Sequence, residues 1–396
     1  MLILDKKVII LGNGFDLACG LKSRYSDFFS KRIPENLRSI LNIGFNYFKK
    51  EMFSKVGYKT IFNVMDPKSN IFIEINCANR EIYEELENSE LTFWDLIFYC
   101  FDDDINDLQW QQVEQRMLEF LNAPKDLMDD IPSLNRILML FDADSLIKAN
   151  VKILFCLHLA SYLPRDKKDY DKEELMNYLH KELRLFEKSF SAHIKSVESE
   201  EYKRKACELL SDITNSSSVN EMEDVVFSFN YTNPFNGYNP KIFVVNVHGT
   251  VEEDNIIFGI DQERIDPNLD IFRFTKTFRQ MAETKLATKY DQEILPSKDE
   301  VTEIAFYGHS LSSLDYSYFQ TIFDYYDLYG SKILLVFYYK VYTGTTKEAI
   351  ELDLADKISK LLYSYSESID NIKRGKNLMH KLLLEKRLFI KEITSE

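Results

Sequence analysis

Four short polar motifs in this sequence carry residues able to do chemistry, and each follows an apolar run. The first, "KKVIILGNGFDLACGL" from Lys6, sets Gly12, Asn13, Gly14, Phe15 and Asp16 at the start of a helix. Glycine lets the backbone turn sharply and approach a ligand, and a helix start offers unpaired N–H groups and a positive dipole end, a seat for phosphate. The plainer reading is also open: strand-to-helix turns often need glycine, and G-x-G without a third glycine is a weak dinucleotide signal. Asp16 then serves either a ligand or the helix cap. Further along, "VVFSFNYTNPF" places Asn230 and Thr232, "VVNVHGT" places His248 and Gly249, and "AFYGHSLSSLD" places Gly308, His309, Ser310 and Asp315. An imidazole beside glycine is a candidate base or a turn residue. Asp315 is a candidate acceptor from a ligand or a helix cap.

The elements that must position these residues follow from periodicity. Lys7 to Leu11 reads as a strand feeding a helix with Leu17 and Leu21. Near-continuous apolar runs recur at "VVFSF", "IFVVNVHG", "IIFG", "EIAFYGHSL" and "KILLVFYY", a texture that suits parallel strands covered on both faces. Between them, residues 33–223 turn to long amphipathic helices such as "QWQQVEQRMLEFL" and "SLIKANVKILFCLHLASYL", with strand character only around "NIFIEI". The expected fold is α/β, a Rossmann-like, mostly parallel sheet formed by 1–32 and 224–396, with 33–223 as a helical insertion and "TNSSSVNEMED" as the linker out of it. In open α/β sheets ligands bind beyond the carboxyl ends of the strands. Four polar motifs at such ends form the rim of one crevice.

Composition limits what that crevice serves. The chain has 396 residues, 45 % hydrophobic, and a formal charge of −15. The acidic balance works against sequence-independent nucleic-acid binding, which lysine and arginine drive by releasing counterions. No apolar run is long enough to span a membrane, and "MLILDKKVIIL" carries charges where a signal peptide is apolar, so a cytoplasmic protein is expected. Cys19, Cys77, Cys100, Cys156 and Cys207 are scattered and never C-x-x-C, which fits reduced thiols and no structural zinc.

The motif "LGNGFDLACGLKSRYSDF" and the order "GNGFD … FNYT … VHG … GHSLSSLD" resemble the AbiH family of bacterial abortive-infection proteins across nearly the whole chain. Through it the sequence is more distantly similar to sirtuin-like NAD-binding domains. On that likeness Gly12 to Asp16 would carry the pyrophosphate of NAD. Asn230 would hold the nicotinamide ribose or an attacking water, His248 beside Gly249 would take a proton, and Gly308, Ser310 and Asp315 would face the adenosine ribose. Three departures argue against protein deacetylation: Asn13 between the glycines, Thr232 where aspartate is usual, and absent zinc cysteines. The resemblance therefore implies hydrolysis of NAD, a substrate here and not a prosthetic group, in antiphage defence. His309, in the adenosine turn, would lie remote from the bond that breaks. The rival expectation is a non-catalytic nucleotide sensor acting through its insertion on a partner; a nuclease fits the acidic charge poorly. Homo-oligomerisation or a defence or phage protein would supply control, with no membrane or nucleic-acid partner.

Other polar features read as structural. "FDDDIND" (Asp102, Asp103, Asp104, Asp107) lacks calcium-loop spacing and suits a solvated helix start. Trp110 and Glu114 in "WQQVE" share one helix face, and resemble a pair recurrent in AbiH proteins; that face packs the insertion or lines the crevice, with packing favoured. His158, His180, His193 and His380 show no ligand spacing.

Overall fold

A computed structural model of the chain describes residues 6–33, 35–55, 80, 84, 86, 89–100, 110–121, 172–215, 224–237, 242–263, 265–284, 286–290, 293–369 and 375–394. The expected strand at 70–75, the acidic stretch 102–107, the helical run 145–163 and most of the linker at 214–224 lie outside these residues, as does the side chain of Trp110.

Six strands form one sheet: β1 (Lys6–Leu11), β2 (Val225–Ser228), β3 (Phe243–Asn246), β4 (Val301–Tyr307), β5 (Leu334–Tyr339) and β6 (Leu388–Glu392). All neighbours are parallel, in the order β3-β2-β1-β4-β5-β6. This is the doubly wound Rossmann order, with its reversal between β1 and β4. Alternation explains why the strands are apolar throughout. Val8 and Ile10 face a core with Phe306, Phe319, Phe323 and Phe337, while Ile9 and Leu11 face one with Ala206, Leu209, Leu210 and Val336.

Eight helices matter for the site: α1 (Asn13–Ala18), α2 (Tyr25–Arg32), α3 (Phe93–Cys100), α4 (Trp110–Leu121), α5 (Lys172–Val197), α6 (Glu200–Thr214), α7 (Lys276–Arg279) and α8 (Tyr316–Tyr325). Helix α6 starts where the Ser199 side chain accepts from the Tyr202 amide, carries Glu200 and Glu201 in its first turn, and ends at Asn215 in the left-handed region. Those are favourable capping and dipole choices. Its buried residues, Tyr202, Ala206, Leu209, Leu210 and Ile213, recur at helical spacing and lay it against the sheet. Helices α2, α3, α4 and α5 build a separate aromatic core with Tyr25, Phe28, Trp94, Phe98, Phe120 and Phe186, closed by Phe258 and Phe274. No helix among the described residues is long and apolar enough to cross a membrane.

Two expectations need correction. "IIFG" at 256–259 is not a strand, because side chains satisfy its backbone. The Phe258 amide donates to Glu187 at 2.7 Å and its carbonyl accepts from Arg279 at 2.6 Å, while Arg184 donates to the Ile256 carbonyl at 2.9 Å. Conversely, β6 is a sixth strand that the apolar runs did not reveal, since its residues are almost all half-buried at the sheet edge.

Candidate functional site

Strand register aligns the motifs. Leu11 pairs with Ser228 and Tyr307, and Ser228 pairs with Asn246, so β1, β2, β3 and β4 end on one row. The residues just beyond that row, Gly12, Asn230, His248 and Gly308, therefore share one edge of the sheet. Its chemistry divides into two buried knots.

The first knot centres on Asp16, 2 % exposed. Its carboxylate accepts from Tyr202 Oη at 2.8 Å, Thr232 Oγ1 at 2.8 Å and Asn230 Nδ2 at 3.1 Å. Asn246 fixes the same turn by donating to the Asn230 and Thr232 carbonyls at 3.1 and 2.9 Å. Burial pushes the Asp16 carboxyl up to about 7, against the pull of its hydrogen bonds. Asp16 is thus no helix cap: Gly12 holds that position, and Asp16 ties α1 to α6 and to the end of β2. Asn230 Oδ1 is buried with no hydrogen-bond partner.

The second knot lies beyond β3 and β4. Lys276 Nζ, 2 % exposed, donates to Asp315 Oδ1 at 2.6 Å, Glu114 Oε2 at 2.9 Å and the Leu314 carbonyl at 3.2 Å. Asp315 Oδ2 lies 3.4 Å from His309 Nε2, and Asp315 Oδ1 lies 3.7 Å from His248 Nε2. The Leu311 amide donates to His309 Nδ1 at 3.0 Å, which leaves the proton on Nε2, aimed at Asp315. His248 bonds the Phe229 carbonyl through one ring nitrogen, while Nε2 is buried without a partner. Burial lowers the His248 pKa to about 3, helped by the nearby Lys276 charge, so the imidazole is neutral. Burial also raises Glu114 to about 7, despite Lys276. Asp315 is held well below the usual carboxylate range by Lys276, which overcomes its burial.

These contacts revise several expectations. Asp315 makes no capping bond at the start of α8; its oxygens go to Lys276 and His309. His309 and His248 both approach one carboxylate, and both rings pack on Phe229, at 4.8 and 5.5 Å. Glu114 does more than pack, since it reaches Lys276 from α4. The glycine turn is closed. A Cβ on Gly12 would lie 2.5 Å from His309 Cα and one on Gly14 would lie 2.7 Å from Gly308 Cα, while the Gly14 amide donates to the Gly308 carbonyl. Both glycines therefore answer to the packing of two turns. Asn13 accepts from Ser23 Oγ, Phe15 is core, and Gly249, at φ 78°, packs on Asn255. Ser310 is half-buried on the β4 turn.

Sequence reasoning missed Lys276 and Tyr202. Nothing local marks either, because their partners lie far along the chain. Glu114 did carry a signal, its spacing from Trp110. A cavity of about 580 Å³ lies apart from both knots, between α2 and α5, where Phe28, Lys31, Arg32 and His193 line it.

A doubly wound parallel sheet with polar groups gathered at one carboxyl edge defines a Rossmann-like α/β protein. Within that class the chain belongs to the family described as Bacteriophage abortive infection AbiH, which matches residues 8–339. Membership assigns it to abortive-infection defence against phage. No curated protein and no solved structure matches it.

Proposed function

We propose that this defence protein is an NAD glycohydrolase, cleaving the bond between nicotinamide and ribose. The observation that carries the reading is the pair of buried atoms without a hydrogen-bond partner, Asn230 Oδ1 and His248 Nε2, just beyond the carboxyl ends of the adjacent strands β2 and β3. Buried polar atoms are normally satisfied, and orphans gathered at a ligand-binding edge point to a missing partner. The reaction asks little of the protein. Nicotinamide leaves from an already cationic ring, so it needs no protonation, and the transition state resembles an oxocarbenium ion. Water adds to the ribose carbon as the bond to nicotinamide breaks, and one proton is released. Asn230 orients the ribose or the water, a positional contribution. His248 Nε2 receives the proton.

The closed arrangement is the resting state. Asn230 and His248 are 5 % and 4 % exposed, and an imidazole held near 3 is a weak base at neutral pH. Withdrawal of the insertion would hydrate the crevice and return the imidazole toward its ordinary range. That fits the need to spare cellular NAD until infection, with assembly or an infection-derived partner as trigger. The burial also favours a second reading, a sensor that binds a nucleotide without cleaving it. Incubation of purified protein with NAD, alone, concentrated and with phage lysate, followed by chromatography for nicotinamide, separates the two. Release of nicotinamide that fails in His248→Ala is expected. Nucleotide binding with no release under any condition would leave the sensor.

A further inference from the structure

We propose that the Lys276 ammonium is the seat for a phosphate of the nucleotide ligand, and that Glu114 occupies it in the closed protein as a stand-in carboxylate. The inference rests on the nucleotide-binding reading above but not on cleavage. Lys276 makes three hydrogen bonds while almost wholly buried, and two of them, to Asp315 and Leu314, come from the turn after β4. The third comes from α4, an element of the insertion. The charges do not balance: one ammonium faces two carboxylates beside two histidines, one of them held neutral. Glu114 lies 2.9 Å from Lys276 against 2.6 Å for Asp315, and its burial resists ionisation, so its hold is the weaker of the two. A phosphate oxygen can replace a carboxylate oxygen at an ammonium with the same hydrogen bond and more charge.

Two further observations point to a ligand at this place. His248 Nε2, buried 3.7 Å from Asp315 Oδ1, has no hydrogen-bond partner. The glycine turn, an alternative phosphate seat, is closed against Gly308 and spends its Gly14 amide there. Exchange of Glu114 for phosphate would also add negative charge beside Lys276, whose charge adds to burial in depressing His248. Ligand entry, release of α4 and activation of the imidazole would then be one event.

The test is calorimetry with ADP and, separately, inorganic pyrophosphate on the full chain. Glu114→Gln and Glu114→Ala should each tighten ADP binding by at least about tenfold, since the competitor is gone. Adding Lys276→Gln to either should abolish the gain. Pyrophosphate should follow the same pattern, more weakly. Unchanged ADP affinity in both Glu114 variants overturns the proposal, and so does a gain that survives Lys276→Gln. A Glu114→Gln protein that binds ADP tightly yet leaves NAD intact keeps the phosphate seat and removes glycohydrolysis. NAD cleavage in the parent chain with ADP affinity indifferent to Glu114 does the reverse.

Discussion

Lys276 and Arg279 stand three residues apart on one short helix, and both are buried with carboxylates, yet the two ion groups differ in kind. Arg279, fully buried, forks onto Glu187 and Glu283 and donates to the Phe258 carbonyl, so its donors are spent in planar pairs. Glu187 in turn takes the Phe258 amide and Arg184. Arginine suits such a closed arrangement because its fork matches carboxylates bidentately. The Lys276 group is open by comparison. Its cation is a point charge shared by two carboxylates from different parts of the fold, and an unpartnered imidazole nitrogen lies beside it. One group closes the aromatic core of the insertion over 256–258, whereas the other has unfilled valence at the sheet edge. Satisfaction, more than burial or charge, separates a staple from a site.

The staple should break hardest. Arg279→Met leaves Glu187, whose side chain is 1 % exposed, with Arg184 in place of two arginines, and should cost about 3 kcal/mol in urea unfolding, as for a broken buried pair. Lys276→Met should cost less than half as much at pH 6, because Glu114, already near 7, can take up a proton once the ammonium is gone, and Asp315 keeps His309 beside it. Equal losses at the two positions would erase the distinction. The site should answer in turnover instead. His248→Ala is expected to lower nicotinamide release by about 10²-fold with NAD affinity retained, whereas His309→Ala, which removes a donor to Asp315, should weaken binding. Combining His248→Ala with Asn230→Ala should cost much less than the two losses multiplied, as for groups acting together. Initial rates and equilibrium titrations on the same preparations would show whether that division holds.

That contrast also marks where sequence could and could not be read. Runs such as "KVIIL" and "LLVFYY" announce buried parallel strands because both faces are covered, and their polar successors mark the edge where the candidate site lies. "LFIKE" at 388–392 gave no such signal, being an edge strand with nearly every residue half-buried. Lysine and arginine are almost never fully buried unless paired, so "IFRFTKTFRQ" or any such stretch reads as surface until Glu114, Asp315 and Glu187 are known to converge on it. Tyr202 reaches Asp16 across 186 positions, a distance no local pattern spans. Glycine misled in a more instructive way: close backbone approach was expected at Gly12 and Gly14, but what approaches is the protein's own β4 turn.

Gly14 therefore gives a smaller, structural effect. Gly14→Ala would set a Cβ 2.7 Å from Gly308 Cα and its carbonyl oxygen, both backbone atoms that cannot rotate away. Overpacking of this kind costs about 1–3 kcal/mol. Thermal melting should record it with or without nucleotide. A variant that melts like the parent but no longer binds ADP would restore the glycine turn as a ligand cradle.

The finest test compares the two knots through pH. Asp16 is raised to about 7 from 3.8, so between those values the native state holds a proton that the unfolded chain has lost. Stability from this group is present at low pH and declines as pH rises toward 7. His248 acts oppositely: with a native pKa of about 3 against 6.5, the unfolded chain binds the extra proton, and stability rises with pH across that interval. Over the shared window from about pH 4 to 6.5 the two slopes oppose each other, so the parent chain alone reveals little. Asp16→Asn separates them. It removes only the declining term, while Glu114 contributes equally to both proteins and cancels from their difference. The amide sacrifices an acceptor for Tyr202, Thr232 and Asn230, so Asp16→Asn starts less stable at pH 4, yet its deficit should shrink by pH 7 and change little beyond. The slope of that difference should be up to about 1 kcal/mol per pH unit. Urea midpoints for both proteins at pH 5, 6, 7 and 8 supply it. A deficit constant across the series would mean that Asp16 is ionised throughout, held by its three donors as firmly as Asp315 is held by Lys276, and the two knots would then be electrostatically alike.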